Sequence, residues 1–269
     1  MRRTRSIPTF AVLCAFFCPA FIAAQAVELS LYCNPAQMPA LKAVVSDWER
    51  DTGNTVVFHA ASDSSSEALT AYQKLLDEEN AEVDVYNLDS VWPAMLSEHL
   101  VDLRVFMGGM EKLHLPVVID NYTIRGRLVA MPLFVDTGVM YYRRDLLDKY
   151  NLPLPFTWNM LVECANKVVA SERTAGNPEI WGLVFQGKPY EGLTCCALEW
   201  LYANAAGTIV DENGAVTVNN PAAAKALAEA SEWMGTLVPV ETLAFAEEES
   251  LNMFRSGQAV FMRNWPYAW

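Results

Sequence analysis

Apolar and polar positions follow two periods along this chain, and the switch between them marks out elements. Val27 to Tyr32 alternates as a strand does. Leu41, Val44, Val45 and Trp48 then recur on one face at helical spacing, and Gly53 marks the end of that helix. Thr55 to His59 is β-rich and predicts a second strand. Ser64 and Glu67 have the spacing of a capping box, ahead of a helix carrying Leu69, Tyr72, Leu75 and Leu76. Val83 to Leu88 predicts a third strand. The order β-α-β-α-β predicts an α/β fold with a mostly parallel sheet and helices on its faces. Asp89 falls just past the carboxyl end of the third strand, where open α/β sheets bind ligands, although Asp is also a favoured helix N-cap.

The pattern continues with β-rich runs at Arg127–Phe134 and Gly138–Tyr142, separated by Asp136-Thr137. Thr157 caps a helix containing Leu161, Ala165 and Val168, and Trp181 to Phe185 reads as a short strand. Leu193 to Ala205 is helical, and Asn220-Pro221 opens a further helix running to about Met234. Ser250 to Arg255 is helical and Ala259 to Arg263 is a strand. We place a lobe boundary near residue 135, giving an N-terminal α/β lobe over 27–135 and a C-terminal lobe over 136–269.

The amino terminus changes the picture. Arg2, Arg3 and Arg5 precede an apolar stretch from Phe10 to Ala24, and Ala24-Gln25-Ala26 is a small-x-small cleavage site. This predicts a signal peptide over residues 1–26, hence a periplasmic or extracellular protein. Removing 26 of the 269 residues leaves 243, and removing three arginines takes the formal charge from −13 to −16. So acidic a surface argues against nucleic acid and anionic membranes as partners. Cys33, Cys164, Cys195 and Cys196 remain after cleavage. An exported compartment permits disulfides, but adjacent Cys195 and Cys196 would make a strained pair with each other. No C-x-x-C pair is present, and His59, His99 and His114 lack metal-ligand spacing.

The chain carries no G-x-S-x-G, H-E-x-x-H, P-loop or dinucleotide glycine fingerprint. It does carry aromatic residues close to acids near strand ends: Trp92 beside Asp89, Phe134 beside Asp136, and the group Trp265, Tyr267 and Trp269. A ring stacks on the apolar face of a sugar while a carboxylate accepts from its hydroxyls, the general composition of a small-molecule site. Each tryptophan taken alone is a core residue more often than a ligand platform.

Four stretches carry a resemblance: Asp84-Val-Tyr-Asn-Leu-Asp89-Ser-Val-Trp92-Pro, Pro132-Leu-Phe-Val-Asp136-Thr-Gly-Val-Met-Tyr-Tyr-Arg143, Gln186-Gly-Lys-Pro-Tyr190-Glu191-Gly192-Leu-Thr-Cys195 running on to Glu199-Trp200, and Phe261-Met-Arg-Asn264-Trp265-Pro266-Tyr267. In these the chain resembles the extracellular solute-binding proteins of carbohydrate ABC importers, within them the trehalose/maltose-binding type. The resemblance implies a periplasmic-binding-protein-like fold, two α/β lobes closing over a sugar. It implies a monomer without cofactor, metal or catalytic residue, which captures a sugar such as trehalose or maltose and delivers it to a membrane-embedded ABC permease. Carried over by position, Asp89 and Asp136 are hydroxyl acceptors, Trp265 and Tyr267 the stacking platform, and Trp92 a further substrate-binding residue. Glu191 lies in a matching motif.

Two departures from the family pattern stand out. The turn after the first strand reads Cys33-Asn34-Pro35-Ala36-Gln37-Met38, with Gln37 where the family often offers an acidic or small polar residue. Family members also continue well beyond the position of Trp269, so the resemblance implies that the C-terminal part of the fold is missing, with an unpaired sheet edge left exposed. Two rival expectations follow: a periplasmic carbohydrate hydrolase using Asp89 and Asp136 as acid and base, and a non-functional truncated receptor.

Overall fold

The computed structural model describes residues 26–269 apart from Asp63 and Glu212. The predicted signal peptide therefore lies outside the described residues, except for Ala26. In chain order the elements are β1 (Glu28–Cys33), α1 (Met38–Thr52), β2 (Thr55–Ala60), α2 (Ser65–Asp77), β3 (Val85–Tyr86), α3 (Pro93–Leu96), α4 (Arg104–Met107), α5 (Pro116–Asn121), β4 (Thr123–Ile124), β5 (Arg127–Leu128) and β6 (Val139–Tyr142). There follow α6 (Arg144–Lys149), α7 (Trp158–Thr174), β7 (Trp181–Val184), α8 (Glu191–Ala203), α9 (Pro221–Glu232), α10 (Glu247–Arg255) and β8 (Ala259–Asn264). Among the described residues no helix is long and apolar enough to cross a membrane.

The chain divides into two compact units, the smaller formed by the described residues up to Ala60 together with Ala81–Asn87. Here β1 is central in the order β2-β1-β3 and pairs in parallel on both sides. Gly53 ends α1 with φ 74°, its N–H donating to the Glu49 carbonyl at 2.8 Å, so a residue free to be left-handed turns the chain into β2. The third strand is shorter than the alternation predicts. The Asp84 carboxylate accepts from the Ser30 N–H at 2.8 Å and thereby closes the ladder with a side chain.

The larger unit comprises Ala61–Asn80 and Leu88–Trp269. Its sheet runs β6-β8-β7, with β8 parallel to β7 and antiparallel to β6. All six residues of β8 are buried, the mark of a central strand covered on both faces. The core gathers Leu183, Val260 and Phe261 from the sheet with Leu161, Ala165 and Val168 of α7 and Trp200 of α8. Thr157 Oγ1 accepts from the Met160 N–H at 3.2 Å to cap α7, whose buried residues 161, 164, 165, 168 and 169 form one helical stripe. Asn220 caps α9 in the same way, through the Ala223 N–H at 2.9 Å.

Three expectations are corrected. Ser64 precedes α2 without a side-chain cap, because Glu67 instead accepts from the Ser62 hydroxyl at 2.7 Å. The run Arg127–Phe134 is a strand only at Arg127–Leu128, paired with β4 across a turn at Arg125 and Gly126, both left-handed. Beyond Leu128 the Val129 N–H still donates to the Tyr122 carbonyl at 3.0 Å, but the partner runs out there, since α5 ends at Asn121 just before β4. Cys33, Cys164, Cys195 and Cys196 are all free thiols, so the permitted disulfides are not formed.

Candidate functional site

The strand directions of the larger sheet collect the chemistry on one edge. Because β7 and β8 are parallel, the residues after both strands, Gln186 to Glu191 and Trp265 to Tyr267, leave on the same side. Because β6 is antiparallel and Val139 pairs with Asn264, the residues before it, Asp136 to Gly138, reach that side too. This is the carboxyl edge of the parallel pair, where α/β sheets bind ligands.

Trp265 is seated by several groups. Its half-buried ring has the Arg263 guanidinium over it, Cζ lying 3.9 Å from the ring centroid. Its indole N–H donates to Glu247 Oε1 at 3.2 Å. The Asn264 side-chain oxygen accepts from the Trp265 backbone N–H at 2.8 Å, and the Tyr141 hydroxyl donates to the Trp265 carbonyl at 2.9 Å. Arg263 is 2% exposed. It donates from Nε and Nη2 to Glu199 Oε1 at 3.0 and 2.6 Å, and from Nη1 to Gln186 Oε1 at 2.9 Å. Gln186 Nε2 donates back to the Arg263 carbonyl at 3.1 Å. A Cβ at Gly138 would collide with the Glu199 carboxylate and the guanidinium and force this pair to shift.

Tyr267 is half exposed, and its hydroxyl donates to Glu248 Oε1 at 2.8 Å. Burial first and then this carboxylate push its phenol pKa up. Asp136 is exposed, and its charge raises the neighbouring Tyr141 phenol, after burial. Asp136, Tyr141 and Trp265 are thus neighbours although 129 residues of numbering separate the first from the last.

Asp89 occupies a turn rather than a helix cap. Its Oδ1 accepts from the Ser90 hydroxyl at 3.3 Å and the Val91 N–H at 3.4 Å, while Trp92 is the residue flanking α3. The buried Tyr122 phenol senses the Asp89 charge and is raised, again after burial. Glu191, at the start of α8, has its carboxyl raised, first by burial and then by the Asp89 charge. Cys195 Sγ lies 3.6 Å from Glu191 Oε1, and burial with this carboxylate pushes the thiol up to about 12. Trp92 is 6% exposed and meets Tyr72 edge-on at 5.7 Å, so the structure puts it in the core behind the Asp89 turn. Gln37 flanks α1 with its Oε1 buried and unpartnered.

The structure therefore brings Asp136, Trp265 and Tyr267 to one edge, with Glu191 there and Asp89 within its electrostatic reach. Glu247, Glu248, Arg263 and Gln186 complete the setting and were not assigned from sequence. Glu247 and Glu248 sit 18 and 19 residues from the rings they hold, a spacing no local pattern marks. Among the described residues no group of acids, histidines and cysteines could hold a metal ion.

A family model described as bacterial extracellular solute-binding protein matches residues 34–269. The chain belongs to that family. A probable ABC transporter-binding protein of Deinococcus radiodurans is 44% identical over 251 residues, covering 91% of this chain and 59% of the relative. Maltose-bound MalE3 of T. maritima superposes with a TM-score of 0.83 at 34% identity, covering 91% of this chain and 62% of that one. The ribitol complex of a solute-binding protein from Agrobacterium radiobacter shares the fold at 23% identity, with a TM-score of 0.72 and coverage of 91% and 61%. The α/β fold is that of the periplasmic sugar-binding proteins, and the chain spans about 60% of the length of the relatives it matches.

Proposed function

We propose that this chain is the substrate-binding component of an ABC importer, exported through its cleaved signal peptide, which captures an α-linked disaccharide such as trehalose or maltose and delivers it to a permease. The observation that carries this reading is Trp265: a half-buried indole at the carboxyl edge of a parallel strand pair, with Asp136 close by and Tyr267 two residues on. In this reading Trp265 and Tyr267 stack on the sugar face and Asp89 and Asp136 accept from hydroxyls, while Trp92 stiffens the Asp89 turn. The lobe boundary near residue 135 belongs to the same proposal. Maltose in the MalE3 structure supports a disaccharide, whereas the ribitol complex bears on the fold alone.

Calorimetric titration with maltose, trehalose, ribitol and mannitol tests the assignment. Saturable binding of one disaccharide is expected, with Asp89→Asn weakening it by about 10-fold, the scale of one hydrogen bond to a charged group. Preference for a polyol would overturn the disaccharide assignment. Release of glucose from maltose, abolished by Asp89→Asn, would establish the hydrolase instead.

A further inference from the structure

We propose that Arg263 is a positioning residue for the Trp265 platform: the guanidinium fixes the indole plane from its buried side, so that the ring meets a sugar already oriented. The inference rests on reading Trp265 as a stacking surface, and it assigns a role to a side chain too deeply buried to touch ligand.

Three observations carry it. First, all three nitrogens of the guanidinium donate in its plane: Nε and Nη2 to Glu199 and Nη1 to Gln186. The group cannot rotate without breaking these bonds, and its flat faces remain for stacking. Second, Cζ lies 3.9 Å from the centroid of Trp265, well inside the range of a cation–π contact and in a site where water is excluded. Third, the residue just before β6 carries no side chain, and a Cβ at Gly138 would strike Arg263 and Glu199. A buried ion pair is weak evidence for stability, because apolar residues of similar volume often serve as well. A charge retained directly beneath a half-buried ring at a sheet edge is explained by what it does to that ring. A tryptophan held in one orientation loses less freedom when it binds, which is how preorganisation raises affinity.

The test is fluorine NMR of the protein labelled with fluorotryptophan, the Trp265 resonance being assigned by its loss in Trp265→Phe. Maltose is the probe ligand. Arg263→Met alone would leave Glu199 unpaired, so the informative variant is Arg263→Met/Glu199→Gln, which removes both charges. The wild type is expected to show one narrow Trp265 line. In the double variant that line should broaden or split while the other tryptophan lines stay in place, and maltose affinity should fall about 3- to 30-fold. A narrow Trp265 line at the wild-type position in the double variant overturns the proposal, as does unchanged maltose affinity. Should the double variant not fold, Arg263→Gln removes the charge, keeps an amide donor for Glu199 and is read in the same way. If the wild type does not respond to maltose, the sugar reading fails, and the line shape still decides whether Arg263 holds the ring.

Discussion

At the scale of single residues, the site is set by close approaches that a linear sequence does not display. Gly138 is one. A Cβ there would displace the Arg263–Glu199 pair, so Gly138→Ala is expected to cost about 1–3 kcal/mol, as overpacking of a core does, measured by chemical denaturation. Glu191 is another. Burial and the Asp89 charge raise its carboxyl, so the folded state holds that proton more tightly than the unfolded chain. The resulting contribution to stability is fully present below the ordinary carboxylate range and is lost as pH rises through the raised value. Glu191→Gln should therefore melt higher than the wild type at neutral pH and converge with it near about pH 4. A melting series across that range checks the sign. Asp89, Asp136, Trp265 and Tyr267 could be picked out from sequence as acids and rings near strand ends and as family positions. Trp92 met the same criterion and lies in the core, because its partner Tyr72 is 20 positions away on α2 and neither periodicity nor proximity to an acid reveals that pairing.

At the scale of elements, the legible features were those with local causes. Thr157 and Asn220 cap α7 and α9 through bonds to residues three positions on, and both caps could be read from sequence. Thr157→Ala should cost about 1 kcal/mol in equilibrium unfolding. The misread elements depend on which of several neighbours a group pairs with, which periodicity does not reveal. Glu67 is taken by Ser62 rather than Ser64, and β5 stops at Leu128 because its partner β4 is only two residues long. One start point also differs: α8 begins at Glu191, two residues before its apolar stripe at Leu193. The aromatic cluster behind the sheet joins residues no window could connect. Trp200 meets Phe185 edge-on at 5.1 Å and Trp233 at 5.9 Å, and Trp233 stacks on Trp158 at 5.5 Å. Trp200→Ala is expected to cost about 3–5 kcal/mol, the largest loss among these variants, visible as a lowered denaturation midpoint.

At the scale of the whole molecule, the α/β class followed from the alternation of strands and helices, whereas the strand order that makes the site did not. The order β6-β8-β7, with one antiparallel member, delivers Asp136, Glu191 and Trp265 to a single edge, and it depends on pairings such as Val139 with Asn264 that lie 125 residues apart. A formal charge of −13 for the full chain argues against anionic partners without indicating a ligand. The proposed ligand class rests instead on rings and carboxylates gathered at that edge and on a family whose members are extracellular solute-binding proteins. The most direct test is tryptophan fluorescence of the chain during maltose titration, with a thermal melt of the same samples. The account predicts a saturable spectral change, a raised melting temperature and maltose recovered intact. A cooperatively folded protein whose spectrum and melting temperature ignore maltose, trehalose and related α-linked disaccharides would contradict it.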